Sequence, residues 1–226
     1  MRTINATVFV SLDGVMQAPG GPQEDPTGGF QHEGWAAPHF DEAVGGVMGK
    51  LFERPFDLLL GRRTYDIFAA HWPYAKDDPI GPLFDGVTKF VATHEPESLT
   101  WQNTTWLGED VPASLRALKR SDGPDLLIQG SSQLIQQLLA HDLIDRFQLI
   151  VMPTVLGSGK KLFGSGTLPA ALKLTDSLIT PKGVIVASYE RDGEVETGDF
   201  GLENPSEAEL ERRRGLAEME RKLKSA

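Results

Sequence analysis

Two hydrophobic periods alternate along this chain, and the points where one gives way to the other divide it into elements. Apolar runs of strand length occupy residues 3–12, 56–60, 87–92, 125–129, 144–152, 171–179 and 183–190, most of them bounded by Gly, Ser, Thr or Pro. Helical spacing of apolar residues predicts helices at roughly 39–52, 64–70, 111–120 and 132–141. Strand followed by helix, repeated from the start, predicts an α/β chain with a mainly parallel sheet. The last two strands are separated only by Thr180-Pro181-Lys182-Gly183 and predict an antiparallel hairpin. The apolar stretch 143–153 reads as a long strand near a sheet edge, where it needs a partner or a cover.

Two segments escape both periods. Residues 17–34, QAPGGPQEDPTGGFQHEG, form a long Gly/Pro loop directly after the first strand. Loops of that length in a compact domain are binding loops, lids or disordered, and this one is placed to fold over a ligand. From residue 191 the chain becomes a charged extension. Its stretch PSEAELERRRGLAEMERKLKSA opens on a capping box, Ser206 with Glu209, and continues as a charged helix. Leu216, Met219 and Leu223 give that helix a narrow apolar stripe, which suits either its own domain or another subunit.

Charge and composition narrow the chemistry. With 32 acidic against 22 basic side chains the net charge is −10, which disfavours nucleic acid and anionic membranes, so any bound anion needs a local positive cluster. The absence of cysteine excludes disulfides, thiolate catalysis and cysteine-ligated zinc or iron–sulfur clusters and fits a cytoplasmic protein. No apolar run approaches membrane-spanning length. The five histidines lack the spacing of a helical zinc site, and no metal is expected.

Three strand ends carry the candidate chemistry. The run ending at Gly61 enters a helix through Arg62, Arg63 and Thr64. Free backbone N–H groups and the positive helix end then sit at the carboxyl edge of the sheet, where phosphates bind, and cations are disfavoured there unless an anion compensates. The plain alternative is a pair of solvated surface arginines. A second strand ends at Thr93-His94. A third ends before Gly130-Ser131-Ser132, where glycine allows close backbone approach and the serines can cap the helix or donate to phosphate oxygens. In a parallel sheet the three ends emerge along one edge and favour a phosphate-rich ligand. The Gly-Lys of TVLGSGKKLFGSG is no P-loop, because Thr154 and Lys161 stand where a glycine and a Ser or Thr are required, and no G-x-G-x-x-G follows the first strand.

The stretches SLDG, GRRTYDIF, IQGSSQLIQQLLAHDLID and MPTVLGSGKKLF, in this order, resemble the dihydrofolate-reductase-like superfamily, and in particular the reductase domain of the bifunctional riboflavin-pathway deaminase/reductase. The resemblance covers about residues 1–190. It implies a single three-layer α/β/α domain with a mixed, mainly parallel sheet, binding NADPH in extended form and forming a homodimer. By the same resemblance Gly61 belongs to the phosphate turn, Arg62 binds the adenosine 2′-phosphate, and Arg63 and Thr64 lie near the pyrophosphate. Thr93 and His94 border the adenine end, and Gly130, Ser131, Ser132 and Leu134 line the pyrophosphate and nicotinamide side. The implied reaction is hydride transfer to a C=N or C=O carbon of a small heterocyclic, imine or carbonyl substrate.

A proton must also arrive. Asp41 and Glu42 fall where dihydrofolate reductases place a carboxylate, though acids also suit a helix's first turn. Asp13 ends the first strand, where Asp-Gly is equally a turn pair. Trp35, His39, Trp72 and Tyr74 are candidates for an aromatic pocket wall or for packing. The chain departs from riboflavin-pathway reductases at Gln129, which replaces a glutamate, and at residues 69–73, AAHWP, which replace an Asp-Asn-Pro segment. Both departures lie on the substrate side. They keep two further readings open: a non-catalytic nucleotide-binding module of the same fold, and an assembly role for the C-terminal helix.

Overall fold

Ile4, Ala6, Val8 and Val10 alternate along the first strand, β1 (Ile4–Ser11), and bury on one face of a sheet, while Phe9 faces the other. The computed structural model describes residues 1–201 and 203–224. Residues 202, 225 and 226 lie outside them, including the last two residues of the expected C-terminal helix. The chain divides into two compact units, Met1–Glu194 and Val195–Ala226.

The first unit adds β2 (Phe56–Gly61), β3 (Lys89–Ala92), β4 (Thr104–Trp106), β5 (Asp125–Ile128), β6 (Arg146–Met152), β7 (Leu172–Ile179) and β8 (Ile185–Arg191). They form one sheet in the order β4-β3-β2-β5-β1-β6-β8-β7. Pairing is parallel from β4 through β6 and antiparallel in β6–β8 and β8–β7, so the expected hairpin closes one end of the sheet. β5 is buried on both sides: Leu126 and Ile128 join the cluster of β1, and Leu127 joins the opposite one. That two-sided burial explains why a central parallel strand reads as a continuous apolar run.

Helices cover both faces, giving the three layers. α4 (Val111–Arg120) and α5 (Ser132–Ala140) bury Leu115, Leu134, Ile135 and Leu138 against the β1 side. α1 (Glu42–Leu51) sets Val44 against Ile150 and Met152 on the other face, and α2 (Arg62–His71) and α3 (Ile80–Gly86) bury Tyr65 and Phe84 there. Each such leucine, isoleucine or phenylalanine withdrawn from water contributes about 1.5–3 kcal/mol before the entropy of ordering it is counted.

Four details depart from the pattern-based expectation. β4 and α3 were hidden, because β4 has three residues and α3 carries Gly81, Pro82 and Gly86. α1 starts at Glu42 rather than 39, since Ala37–His39 form a separate 3₁₀ turn and Asp41 caps the helix. β6 is no edge strand, being held by β1 on one side and β8 on the other, and the edges belong to β4 and β7.

The second unit contains α6 (Glu207–Lys224). Half of the expected capping box forms, with Glu209 N–H donating to Ser206 Oγ at 3.3 Å, while the Glu209 carboxylate accepts from Arg212 and Arg213. No helix among the described residues is long and apolar enough to cross a membrane.

Candidate functional site

Because β2, β3 and β5 run parallel, Gly61, Ala92 and Ile128 end at the same edge of the sheet, and the turns that follow them border one cleft of about 730 Å³. That size falls within the range of about 300–1,000 Å³ usual for small-molecule and cofactor sites. Gly61, Arg62, Arg63, Thr64, Thr93, His94, Gly130, Ser131, Ser132 and Leu134, all singled out from the sequence, line it.

Two of these turns are pressed together. Ser131 Oγ accepts from Gly61 N–H at 2.9 Å and lies 2.7 Å from Thr64 Oγ1. A methyl group on Gly61 would come within 2.4 Å of Ser131 Oγ and 2.6 Å of its Cβ, and one on Gly130 within 3.1 Å of Thr64 Oγ1. Close approach therefore requires glycine at 61 and leaves little room for a side chain at 130. Ser131, at φ 73°, does not cap α5 with its side chain as its position suggested, and neither α2 nor α5 has a side-chain cap. Both helix starts keep their positive ends and N–H donors for the cleft.

The cations are paired with the chain's own acids. Arg62 Nε meets Asp66 at 2.9 Å, and its Nη1 meets Glu95 Oε2 at 3.1 Å and Thr93 Oγ1 at 3.5 Å. Arg63 Nη1 donates to Asp25 Oδ1 at 2.7 Å and to Thr27 Oγ1 at 2.6 Å. Lys160 Nζ, from the loop after β6, reaches Asp25 Oδ2 at 2.5 Å and Thr27 Oγ1 at 2.8 Å. Burial pushes the Asp25 carboxyl up, but hydrogen bonds from Lys160 and Thr27 outweigh it and leave it below the usual carboxylate range.

The Gly/Pro loop that carries Asp25 is an ordered strap over this cleft. Phe30, Trp35 and Ala36 anchor it in the core. Trp35 Nε1–H donates to Gln17 O at 2.7 Å, and Gln17 Nε2 donates to the carbonyls of Asp25 and Thr27, each at 2.8 Å. Glu24, on the same strap, also lines the cleft; its carboxylate accepts from Gly20 N–H at 2.7 Å, and burial raises its pKa.

The carboxylates chosen as proton sources lie elsewhere. Asp41 caps α1 by accepting from Val44 N–H at 2.9 Å, a bond that lowers its pKa, and Glu42 is exposed in the first turn of that helix. Asp13 accepts from Ser11 Oγ at 2.7 Å, from Leu156 N–H at 3.0 Å and from Gly157 N–H at 2.9 Å. The Ser11 hydroxyl, then the Leu156 amide, bring its pKa down to about 2. None of the three is among the cleft residues.

The aromatic candidates also pack outside it. Trp35 is buried, Trp72 meets Phe68 and Phe84 edge to face, His39 Nε2 lies 2.8 Å from Thr154 Oγ1, and Tyr74 is exposed. Sequence reasoning missed Glu24, Asp25 and Lys160. The acidic pair inside a Gly/Pro loop was the available signal, but nothing local pointed it at Arg63. Among the described residues no group of three His, Asp or Glu side chains is placed to hold a metal ion.

An α/β sheet whose carboxyl edge presents two uncapped helix starts and a basic turn has the chemistry of an anion-binding cleft. The model of the RibD C-terminal domain family matches residues 2–186, and the chain belongs to that family. YwjB of Bacillus subtilis, an uncharacterized protein, is 32% identical over 117 residues, a match spanning 52% of this chain and 63% of YwjB. Among solved structures, a diaminohydroxyphosphoribosylaminopyrimidine deaminase/5-amino-6-(5-phosphoribosylamino)uracil reductase of Thermotoga maritima aligns with TM-score 0.54 and 13% identity, over 84% of this chain and 57% of that one. A dihydrofolate reductase of Enterococcus faecalis, complexed with NADP(H), aligns with TM-score 0.53 and 14% identity, over 84% and 96%. At these identities the structures establish the dihydrofolate-reductase-like fold, and family membership supports a reductase-like function.

Proposed function

We propose that the protein is an NADPH-dependent reductase of a small heterocyclic, imine or carbonyl substrate. The observation that carries this reading is the convergence of Arg62, Arg63, Thr64 and the Gly130–Ser132 turn on one cleft at the carboxyl edge of the sheet. The cradle fits a dinucleotide. Gly61 leaves no room for an added carbon and Gly130 little, so the two turns lie close together, and two helix starts offer their amides to phosphate oxygens.

When bound, NADPH supplies the hydride. The chain's own residues position it. Arg62, opposite Thr93, takes the 2′-phosphate in exchange for its contacts with Asp66 and Glu95, while Thr64 and the α5 start hold the diphosphate. Phe9, Ala18 and Pro19 line the cleft and keep its floor apolar. Glu24, the strap acid whose pKa burial raises, is the carboxylate best placed to deliver the proton, in place of Asp13, Asp41 and Glu42. Gln129 also lines the cleft and cannot perform the acid role of the glutamate it replaces. Reduction in riboflavin biosynthesis is the particular activity that family membership favours, and a cytoplasmic location goes with it.

Replacing Arg62 by Ala tests the reading. The expected result is a loss of NADPH affinity of about 10-fold or more, about 1.4 kcal/mol, with little change for NADH. Equal losses for the two cofactors remove the 2′-phosphate role.

A further inference from the structure

Arg63 opens α2 and Lys160 lies in the loop after β6, yet both aim at one point on the strap. Two cations there meet three oxygens, the two of Asp25 and the hydroxyl of Thr27. A phosphoryl group presents oxygens in the same number and of the same acceptor chemistry. The exposures are unequal. The Asp25 side chain is 10% exposed, whereas those of Arg63 and Lys160 are 50% and 32% exposed, so the cations stay reachable from the cleft while the carboxylate is inserted between them.

We propose that Arg63 and Lys160 form an anion subsite for a phosphoryl group of a ligand entering the cleft, with Asp25 as its built-in competitor. Lys160 becomes a binding residue on this account, and Asp25 sets the affinity. The exchange is local. The backbone of the strap is pinned by Gln17 on the carbonyls of Asp25 and Thr27 and by Glu33 Oε1 on the Asp25 N–H at 2.9 Å; Thr27 also donates to Asp25 Oδ1, from N–H at 3.3 Å and from Oγ1 at 2.5 Å, and these two bonds are given up together with the cations. Rotation of one short side chain releases both cations, while the strap keeps its apolar anchor. The subsite gives the chain a reason to hold a carboxylate between two cations in its ligand cleft: two like charges facing one point repel each other, and an internal anion relieves that repulsion until a better one arrives.

The phosphoryl group has two sources, a cofactor's diphosphate or a phosphate monoester on the substrate. Calorimetric titration of the full chain with inorganic pyrophosphate and with ribose 5-phosphate distinguishes them, using the unaltered protein, Asp25→Asn and Lys160→Met. A built-in competitor and a binding cation act in opposite senses: Asp25→Asn tightens binding by about 10-fold and Lys160→Met weakens it by about as much. Opposite shifts for pyrophosphate alone assign the subsite to the cofactor diphosphate, and for ribose 5-phosphate alone to the substrate. If Asp25 and Lys160 only clasp the strap, the two variants break the same ion pair and move binding together. Parallel shifts, or no shift with either probe, overturn the proposal. Asp25→Ser makes the same comparison should the asparagine variant not fold. Neither probe contains nicotinamide, so the result stands apart from the reductase reading, which fails separately if NADPH does not bind.

Discussion

Gly61 concentrates several demands in one position: it ends β2, begins the helix that carries both arginines, and leaves no room for a side chain beside Ser131. Gly61→Ala forces a methyl group into Ser131 Cβ and is expected to lower stability by about 1–3 kcal/mol in urea unfolding. Removing the obstacle should recover much of it, so Gly61→Ala with Ser131→Gly is less unstable than the sum of the single changes. Full additivity would show that the two turns do not press on each other. Asp13 makes a second prediction at this scale. Its folded pKa, about 2, lies below the ordinary 3.8, so the stability it contributes is complete above about pH 4 and is lost as the pH falls towards 2. Asp13→Asn should flatten the acid limb of the unfolding curve in that window and leave its neutral-pH shape unchanged. An unaltered acid limb would place the stabilising charge elsewhere.

At the scale of elements, the chain's own pattern was informative wherever burial is regular. β1, β2, β5 and α5 carry clean apolar runs or stripes and were legible, as was the hairpin of β7 and β8, which follows from its short turn. β4 was not, because Thr104–Trp106 is partly or fully exposed and makes no hydrophobic signal. The edge was misplaced for a physical reason as well: β6 is apolar because β1 and β8 flank it and helices cover it, and apolarity alone does not separate a covered interior strand from an edge awaiting a partner. Of the two edge strands, β4 and β7, the second exposes Leu174, Leu178 and Ile179. We propose that the chain forms a homodimer through this strand, since an exposed apolar edge strand invites pairing. Ile179→Lys is expected to convert a dimer to a monomer in light scattering at micromolar concentration, and an unchanged mass would exclude β7 as the interface.

For the whole molecule, the convergence of three turns on one cleft was legible and the acids that line it were not. A phosphate turn is local: Gly61, Arg62, Arg63 and Thr64 are consecutive, and strand direction brings the Thr93 and Gly130 turns beside them. Which acids line the cleft depends instead on how a long loop folds back: Asp41 and Asp13, whose positions near helix and strand ends looked functional, hold α1 and the 154–157 loop through backbone amides. Glu24 and Asp25 reach the cleft only because Gln17, Phe30 and Trp35 pin the strap, a contact set no single stretch encodes. Calorimetric titration of the purified chain with NADPH and, separately, NADH decides whether the arginine turn holds NADPH in this cleft. Tight binding of NADPH and binding of NADH at least about 10-fold weaker are expected; a folded sample that binds neither, or binds both equally, contradicts that role.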